Sequence, residues 1–203
     1  MPRKNIIRQY LSDSYYHIYS RGVNKEKTFR SEKDIDVFVS LLKRYLSPES
    51  KKNVSRRLYK NYSDEIELLT YAIMPNHFHL LIYQKENERT ISDFMKSLMT
   101  SYSMYFNKEH KRVGPVFQST YKAVLIQDDA YLEHISRYIH LNPSNWNFSK
   151  HTSIDYYRSD RKANWINPSR VLDQFPSVES YMDFLASYDP EQEDKLYDVE
   201  PED

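Results

Sequence analysis

The 203-residue chain contains no cysteine. That excludes a disulfide framework, a Cys-ligated zinc site and a thiol nucleophile. Glycine is almost as scarce, with only Gly22 and Gly114. A glycine-rich phosphate loop, of either the dinucleotide or the nucleoside-triphosphate kind, therefore cannot be built. Long apolar runs are missing too: His79-Leu80-Leu81-Ile82-Tyr83 is among the longest, and it is far too short to span a bilayer. Met1-Pro2-Arg3-Lys4 is not followed by an apolar stretch of the secretory type, so an intracellular, cytoplasmic protein with no membrane partner is expected.

The chain is long enough to bury one substantial core. It is rich in tyrosine, with 19 copies. Tyrosine suits half-buried strands and also the stacking of unpaired bases, so its abundance alone does not choose between them. The formal net charge is zero, but the charge is unevenly placed. From Pro176 to Asp203 there are ten acids against a single base, Lys195. The remainder is correspondingly basic, as expected of a chain that meets a polyanion. Solubility alone would also account for such charge.

Hydrophobic periodicity divides the chain into elements. Tyr15 to Arg21 alternates and reads as a strand ending at Gly22. Ser31, with Asp34 three residues on, caps a helix whose apolar positions run from Ile35 to Leu46, stopped by Pro48. Ile66 to Met74 and His77 to Gln84 read as strands joined by a Pro75-Asn76 turn. Ile91 to Phe106 has a helical apolar face, and Phe117 to Ile126 reads as extended. Asp128 or Asp129 caps a further helix that Asn142-Pro143 ends near Leu141.

The order β-α-β-β-α-β predicts an α+β, ferredoxin-like sandwich: an antiparallel sheet with both helices on one face and the first and third strands in the middle. The helix from Asp129 is an addition to that core. Three regions are expected: a core over 1–143, an extension over 144–188 that packs on or near it, and an acidic, disordered tail over 189–203. Within the extension only Val178 to Leu185 reads as a helix.

His77 and His79 flank Phe78 in a strand, so both imidazoles leave the same face while Phe78 enters the core. Two neighbouring imidazoles form half a site for a divalent metal, though a metal needs further ligands. In the last helix, Tyr138 and Asn142 are four residues apart and share a face. Asn142 is a helix-end residue by type, and its side-chain oxygen also suits Mg²⁺ or Mn²⁺. Tyr138, one of many tyrosines, reads by itself as structural.

Four blocks occur in order: Tyr16-His17-Ile18-Tyr19-Ser20-Arg21-Gly22, Tyr71-Ala72-Ile73-Met74-Pro75-Asn76-His77-Phe78-His79-Leu80-Leu81-Ile82, Gly114-Pro115-Val116-Phe117-Gln118, and Arg137-Tyr138-Ile139-His140-Leu141-Asn142-Pro143. Through them the chain resembles the single-tyrosine HUH nucleases, the IS200/IS605-like transposases, and most of all their relatives associated with repetitive extragenic palindromes. The resemblance runs from about Tyr15 to Pro143. It implies that His77 and His79 ligate a divalent metal, Mg²⁺ or Mn²⁺, that Asn142 is the third protein ligand, and that Tyr138 is the nucleophile. Such a protein would cleave single-stranded DNA at or near hairpins through a 5′-phosphotyrosine and pass the strand on. One departure is visible: where the family usually has a small residue and Arg after Phe117-Gln118, this chain has Ser119-Thr120, followed by Tyr121-Lys122.

Candidate DNA contacts follow from charge. Residues 43–62 hold seven bases and one acid, among them Lys51, Lys52, Arg56 and Arg57, with Tyr45, Tyr59 and Tyr62 interleaved for base stacking. Lys111 and Arg112 follow the second helix, Lys122 lies in the fourth strand, and Arg21 ends the first. Single-stranded or hairpin DNA is the expected partner, with the protein nucleoid-associated and either a monomer or a homodimer. A non-catalytic hairpin-binding module of the same fold is the alternative. A zinc hydrolase using only His77 and His79 is a third reading, with no use for Tyr138.

Overall fold

Four antiparallel strands form the centre of the computed structural model, which describes residues 10–51, 60–143, 146, 151–158 and 163–188. The strands are β1 (Ser14–Arg21), β2 (Ile66–Met74), β3 (His77–Gln84) and β4 (Lys122–Ile126), in the order β2-β3-β1-β4. The middle pair is thus β1 and β3, as the βαββαβ order requires. The helices are α1 (Glu32–Leu46), α2 (Thr90–Glu109), α3 (Asp129–Leu141), α4 (Ile154–Arg158), α5 (Ser169–Leu172) and α6 (Val178–Ala186).

Alternation along the strands feeds two separate cores. Tyr16 and Ile18 of β1, Phe78, Leu80 and Ile82 of β3, and Leu68, Tyr71 and Ile73 of β2 point to one face. That face is covered by α1, through Phe38, Leu41 and Leu42, and by α2, through Phe94, Leu98 and Tyr102. Ser31 begins α1 with a capping box: its hydroxyl accepts from Asp34 N–H, and the Asp34 carboxylate accepts from Ser31 N–H.

The opposite face belongs to α3. Leu132, Ile135 and Ile139 pack with Leu69, Ala72 and Leu81, each Leu or Ile side chain contributing roughly 1.5–3 kcal/mol by leaving water. Asp128 caps this helix by accepting from Tyr131 N–H at 2.8 Å. The added helix therefore makes a third layer, and β3 is buried along its whole length.

Two sequence expectations need correction. Only Lys122–Ile126 of the predicted Phe117–Ile126 strand joins the sheet; Phe117 forms a lone bridge to Gly22. Between them the Ser119 hydroxyl donates to Thr120 O, a local bond that competes with strand pairing. The extension is also more structured than its weak periodicity suggested. Its residues run along the outer edge of β2, where Ile73 N–H donates to His151 O, Ser153 N–H to Tyr71 O and Asn167 N–H to Leu68 O. Pairing at a strand edge leaves little mark on hydrophobic pattern, because the backbone does the work. The acidic tail expected over 189–203 lies outside the described residues.

One end of the sheet is drawn together by backbone bonds. Gly22 N–H donates to Asn76 O at 2.7 Å, Thr28 and Phe29 N–H both donate to Pro75 O, and Gln118 N–H donates to Arg21 O. Gly22 has to be glycine for want of space: a Cβ there would lie 2.2 Å from Glu26 O. This end carries the histidines.

Candidate active site

Cross-strand neighbours share a face, so register alone lines up the candidate residues. Arg21 on β1, His77 on β3 and Met74 on β2 form one row. Lys122 on β4, Tyr19 on β1, His79 on β3 and Ala72 on β2 form the next. Both rows lie on the α3 side. His79 is 1% exposed and His77 9% exposed, so the imidazoles lie beneath the helix rather than in open solvent.

From α3, Tyr138 reaches down onto them. Its ring meets that of His79 edge-on, with centroids 5.5 Å apart and planes at 89°, and that of His17 at 6.0 Å and 73°. Tyr138 is half-buried, whereas its neighbours Arg137 and Ile139 are buried. One turn on, Asn142 ends the helix and places Oδ1 3.3 Å from His77 Nε2. The structure thus brings His77, His79, Tyr138 and Asn142 to one place, from one strand and the end of one helix.

The donor set suits a divalent cation. His77 Nδ1 lies 2.6 Å from Asn76 Oδ1, an oxygen that can only accept, so that ring nitrogen carries the proton. His77 Nε2 points at Asn142 Oδ1 across 3.3 Å, and an imidazole nitrogen and a carboxamide oxygen are both ligand types for a divalent cation. Among the described residues no group of three or more His, Cys, Asp or Glu is placed to hold a metal. The set here is two imidazoles and a carboxamide.

Three contributors went unseen in the sequence reading. His17 is buried, with Nε2 2.8 Å from His79 Nδ1. Its parity with Tyr19 and the adjacency of β1 and β3 would have placed it there. Asn76 orients His77 from the tight turn. The third is His140, fully buried and paired at both nitrogens: Nδ1 lies 2.7 Å from the Tyr181 hydroxyl and Nε2 2.7 Å from Ser153 Oγ. Burial, with Arg158 adding to it, pulls the His140 pKa down to about 3, so the ring is neutral.

A neutral His140 completes a buried chain of hydrogen bonds. Tyr71 N–H donates to Ser153 Oγ, Ser153 Oγ pairs with His140 Nε2, His140 Nδ1 pairs with the Tyr181 hydroxyl, the Tyr181 oxygen lies 3.3 Å from Ser136 Oγ, and Ser136 O–H donates to Glu133 O. The chain links β2, α3 and α6. Arg137 reinforces it: it is buried, stacks 3.8 Å over the Phe184 ring and donates to Phe184 O. The helix that carries Tyr138 is therefore clamped by the extension as well as by the sheet.

The candidate DNA contacts divide. Lys122 lies 5.4 Å over the Tyr19 ring, and Tyr19 stacks on His79 at 5.6 Å, so Lys122 is beside the site. Arg21, half-buried, is the cross-strand partner of His77. Arg112 is further off, ion-paired with Glu26 at 3.5 Å and stacked on Phe106. Lys111 adjoins it, exposed, with φ 50°. Lys51 closes a short turn, Pro48–Lys51, while Lys52, Arg56, Arg57 and Tyr59 lie outside the described residues. Tyr45 and Tyr62 do not serve as stacking platforms. They are 3% and 1% exposed, pack edge-on against Phe94, and bond Ser101 and Ser97. Burial of their rings between α1 and α2 removes them from any base.

No described helix is long and apolar enough to cross a membrane. Comparison with curated proteins gave no sequence match. Among solved structures, a REP-associated tyrosine transposase bound to a REP hairpin shares the fold, with a TM-score of 0.55 and 13% identity over 86% of this chain and 96% of that one. A putative transposase from Deinococcus radiodurans R1 aligns with a TM-score of 0.40 and 15% identity, over 68% of this chain and 95% of that one. The family described as Transposase IS200 like matches residues 10–142, which span all four strands, both histidines, Tyr138 and Asn142; the chain belongs to the IS200-like transposase family, a family of DNA-acting transposases.

Proposed function

We propose that this protein is a metal-dependent endonuclease and strand transferase for single-stranded DNA, acting at or near hairpins through a 5′-phosphotyrosine. One observation carries the reading: the Tyr138 ring stands 5.5 Å from that of His79, while Asn142 faces His77 from the same helix. Partner type is supported by family membership and by the hairpin bound to the structural neighbour.

His77, His79 and Asn142 would hold Mg²⁺ or Mn²⁺. When bound, the ion supplies Lewis-acid stabilisation of charge on the scissile phosphate. Tyr138 presents its hydroxyl from a helix clamped on two sides, so little orientation is left to fix at the moment of attack. The phenol oxygen forms a bond to phosphorus and gives up its proton. The bond from phosphorus to the 3′ oxygen breaks, and that oxygen leaves as a hydroxyl. Cleavage energy stays in the phosphotyrosine, so the reverse reaction with another 3′-OH joins strands without ATP.

Arg21 and Lys122, beside the histidines, would neutralise phosphates on either side of the break. Lys111, Arg112 and the basic stretch from Lys51 to Arg57 would extend the contact. Residues 1–143 carry the reaction in this scheme, residues 144–188 brace the tyrosine helix, and the acidic tail competes weakly for the basic surface. The protein would work in the cytoplasm, at the nucleoid, as a monomer or a homodimer.

The test is incubation of the full chain with end-labelled hairpin-bearing single strands and Mn²⁺, resolved under denaturing conditions. A protein-linked label and a joined-strand product are expected. DNA binding without either product in Mg²⁺ or Mn²⁺ would favour the non-catalytic hairpin-binding module.

A further inference from the structure

His17 belongs to neither the proposed ligand set nor the proposed nucleophile, yet it is built into both. It is 4% exposed. Its ring centroid lies 5.0 Å from those of both Tyr19 and His79, at 26° and 21°, and these two are 5.6 Å from each other, so the three rings form a triangle of near-parallel planes. The Tyr138 ring meets it edge-on. A short polar contact joins the two imidazoles edge to edge, from His17 Nε2 to His79 Nδ1 at 2.8 Å.

We propose that His17 is a positioning residue that fixes which nitrogen of His79 faces the divalent ion. The inference rests on the metal-dependent reading of the site. A neutral imidazole has one donor and one acceptor nitrogen. A bond between two such rings at 2.8 Å needs one ring to donate and the other to accept. With His79 donating from Nδ1 to His17 Nε2, the lone pair of His79 is confined to Nε2. The opposite sense would put the proton on Nε2 and leave His79 unable to ligate through it. A flip of the His79 ring would put a carbon in place of Nδ1 and lose the bond to His17, so the same contact also holds the ring orientation.

A carboxylate commonly fills this supporting role behind a ligating histidine. An imidazole in its place has a chemical consequence. Two imidazoles and a carboxamide, backed by a third imidazole, bring no formal negative charge to the ion. Its full charge remains available to a phosphate, and the protein alone should bind Mn²⁺ weakly, with DNA phosphates strengthening the site.

Two measurements test this. In the metal-free wild-type chain, ¹⁵N-edited NMR of the imidazoles should show His79 protonated at Nδ1 and pyridine-like at Nε2. In Mn²⁺ titrations, His17→Phe keeps an aromatic ring but removes the acceptor, and should weaken Mn²⁺ binding by roughly 10- to 100-fold, the usual effect of losing such a partner. His17→Gln restores an acceptor oxygen and should recover most of the affinity. Thermal denaturation of each variant checks folding, and the NMR readout needs no variant. A His79 proton found on Nε2 overturns the inference. So does Mn²⁺ binding by His17→Phe equal to wild type. A wild-type chain that binds no Mn²⁺, with or without hairpin DNA, overturns the metal reading itself and this inference with it.

Discussion

Replacing Tyr181 by Phe deletes one oxygen from the middle of a buried hydrogen-bond chain. Tyr181 is fully buried on α6, and its hydroxyl lies 2.7 Å from His140 Nδ1 and 3.3 Å from Ser136 Oγ. The ring itself packs against Tyr157, Phe175 and Phe184, contacts that Phe retains. The change therefore isolates the polar link. His140 Nδ1 loses its hydrogen-bond partner in a fully buried site, and an unsatisfied buried polar atom costs about 1–3 kcal/mol. For a chain of this size 2 kcal/mol corresponds to a drop in Tm of roughly 4–8 °C. Urea denaturation gives the free energy directly. Because α3 carries Tyr138, covalent adduct formation should also slow while hairpin affinity holds, since no phosphate contact is removed. A loss of stability below about 0.5 kcal/mol would show that the chain from Ser153 to Ser136 contributes nothing beyond shape.

Further perturbations bear on separate parts of the account. Burial holds the His140 pKa near 3, while the unfolded ring takes a proton near its ordinary 6.5; stability is therefore full above pH 6.5 and falls as pH drops toward 3, with about 2 kcal/mol lost between pH 7 and pH 5. Urea denaturation across that range reads the slope, and a flat profile would contradict a neutral buried His140. Gly22→Ala forces a Cβ to within 2.2 Å of Glu26 O and 2.7 Å of Thr28 Cγ2, and should destabilise by about 1–3 kcal/mol in the same assay; no change would mean that the loop yields freely. His77→Ala and His79→Ala should each abolish DNA cleavage and weaken Mn²⁺ binding, with hairpin affinity changed little, and undiminished cleavage in EDTA would remove the metal from the scheme.

Much of the site was legible because its spacing is local. His77 and His79 share a strand face by parity, and Tyr138 and Asn142 share a helix face by the four-residue repeat. The Pro75-Asn76 turn fixed both strand ends, so β2 and β3 fall on the residues expected. Distant partners were harder to see. His17 lies 62 residues before His79, and only the sheet order brings them together. His140 looked like one more helix residue, since its partners Ser153 and Tyr181 come from a stretch with little periodicity. Tyr45 and Tyr62 misled for the opposite reason: in a basic segment a tyrosine reads as a stacking surface, whereas here the rings fill the space between α1 and α2 and only their hydroxyls find polar partners.

The central claim is that Tyr138 becomes joined to DNA. The most direct measurement digests the protein after reaction with a hairpin-bearing single strand in Mn²⁺ and locates the nucleotide-bearing peptide by mass spectrometry. The expected adduct lies on Tyr138, and Tyr138→Phe should abolish it while folding and hairpin binding persist. An adduct on any of the other tyrosines, or one that forms at the wild-type rate in Tyr138→Phe, would contradict the assignment.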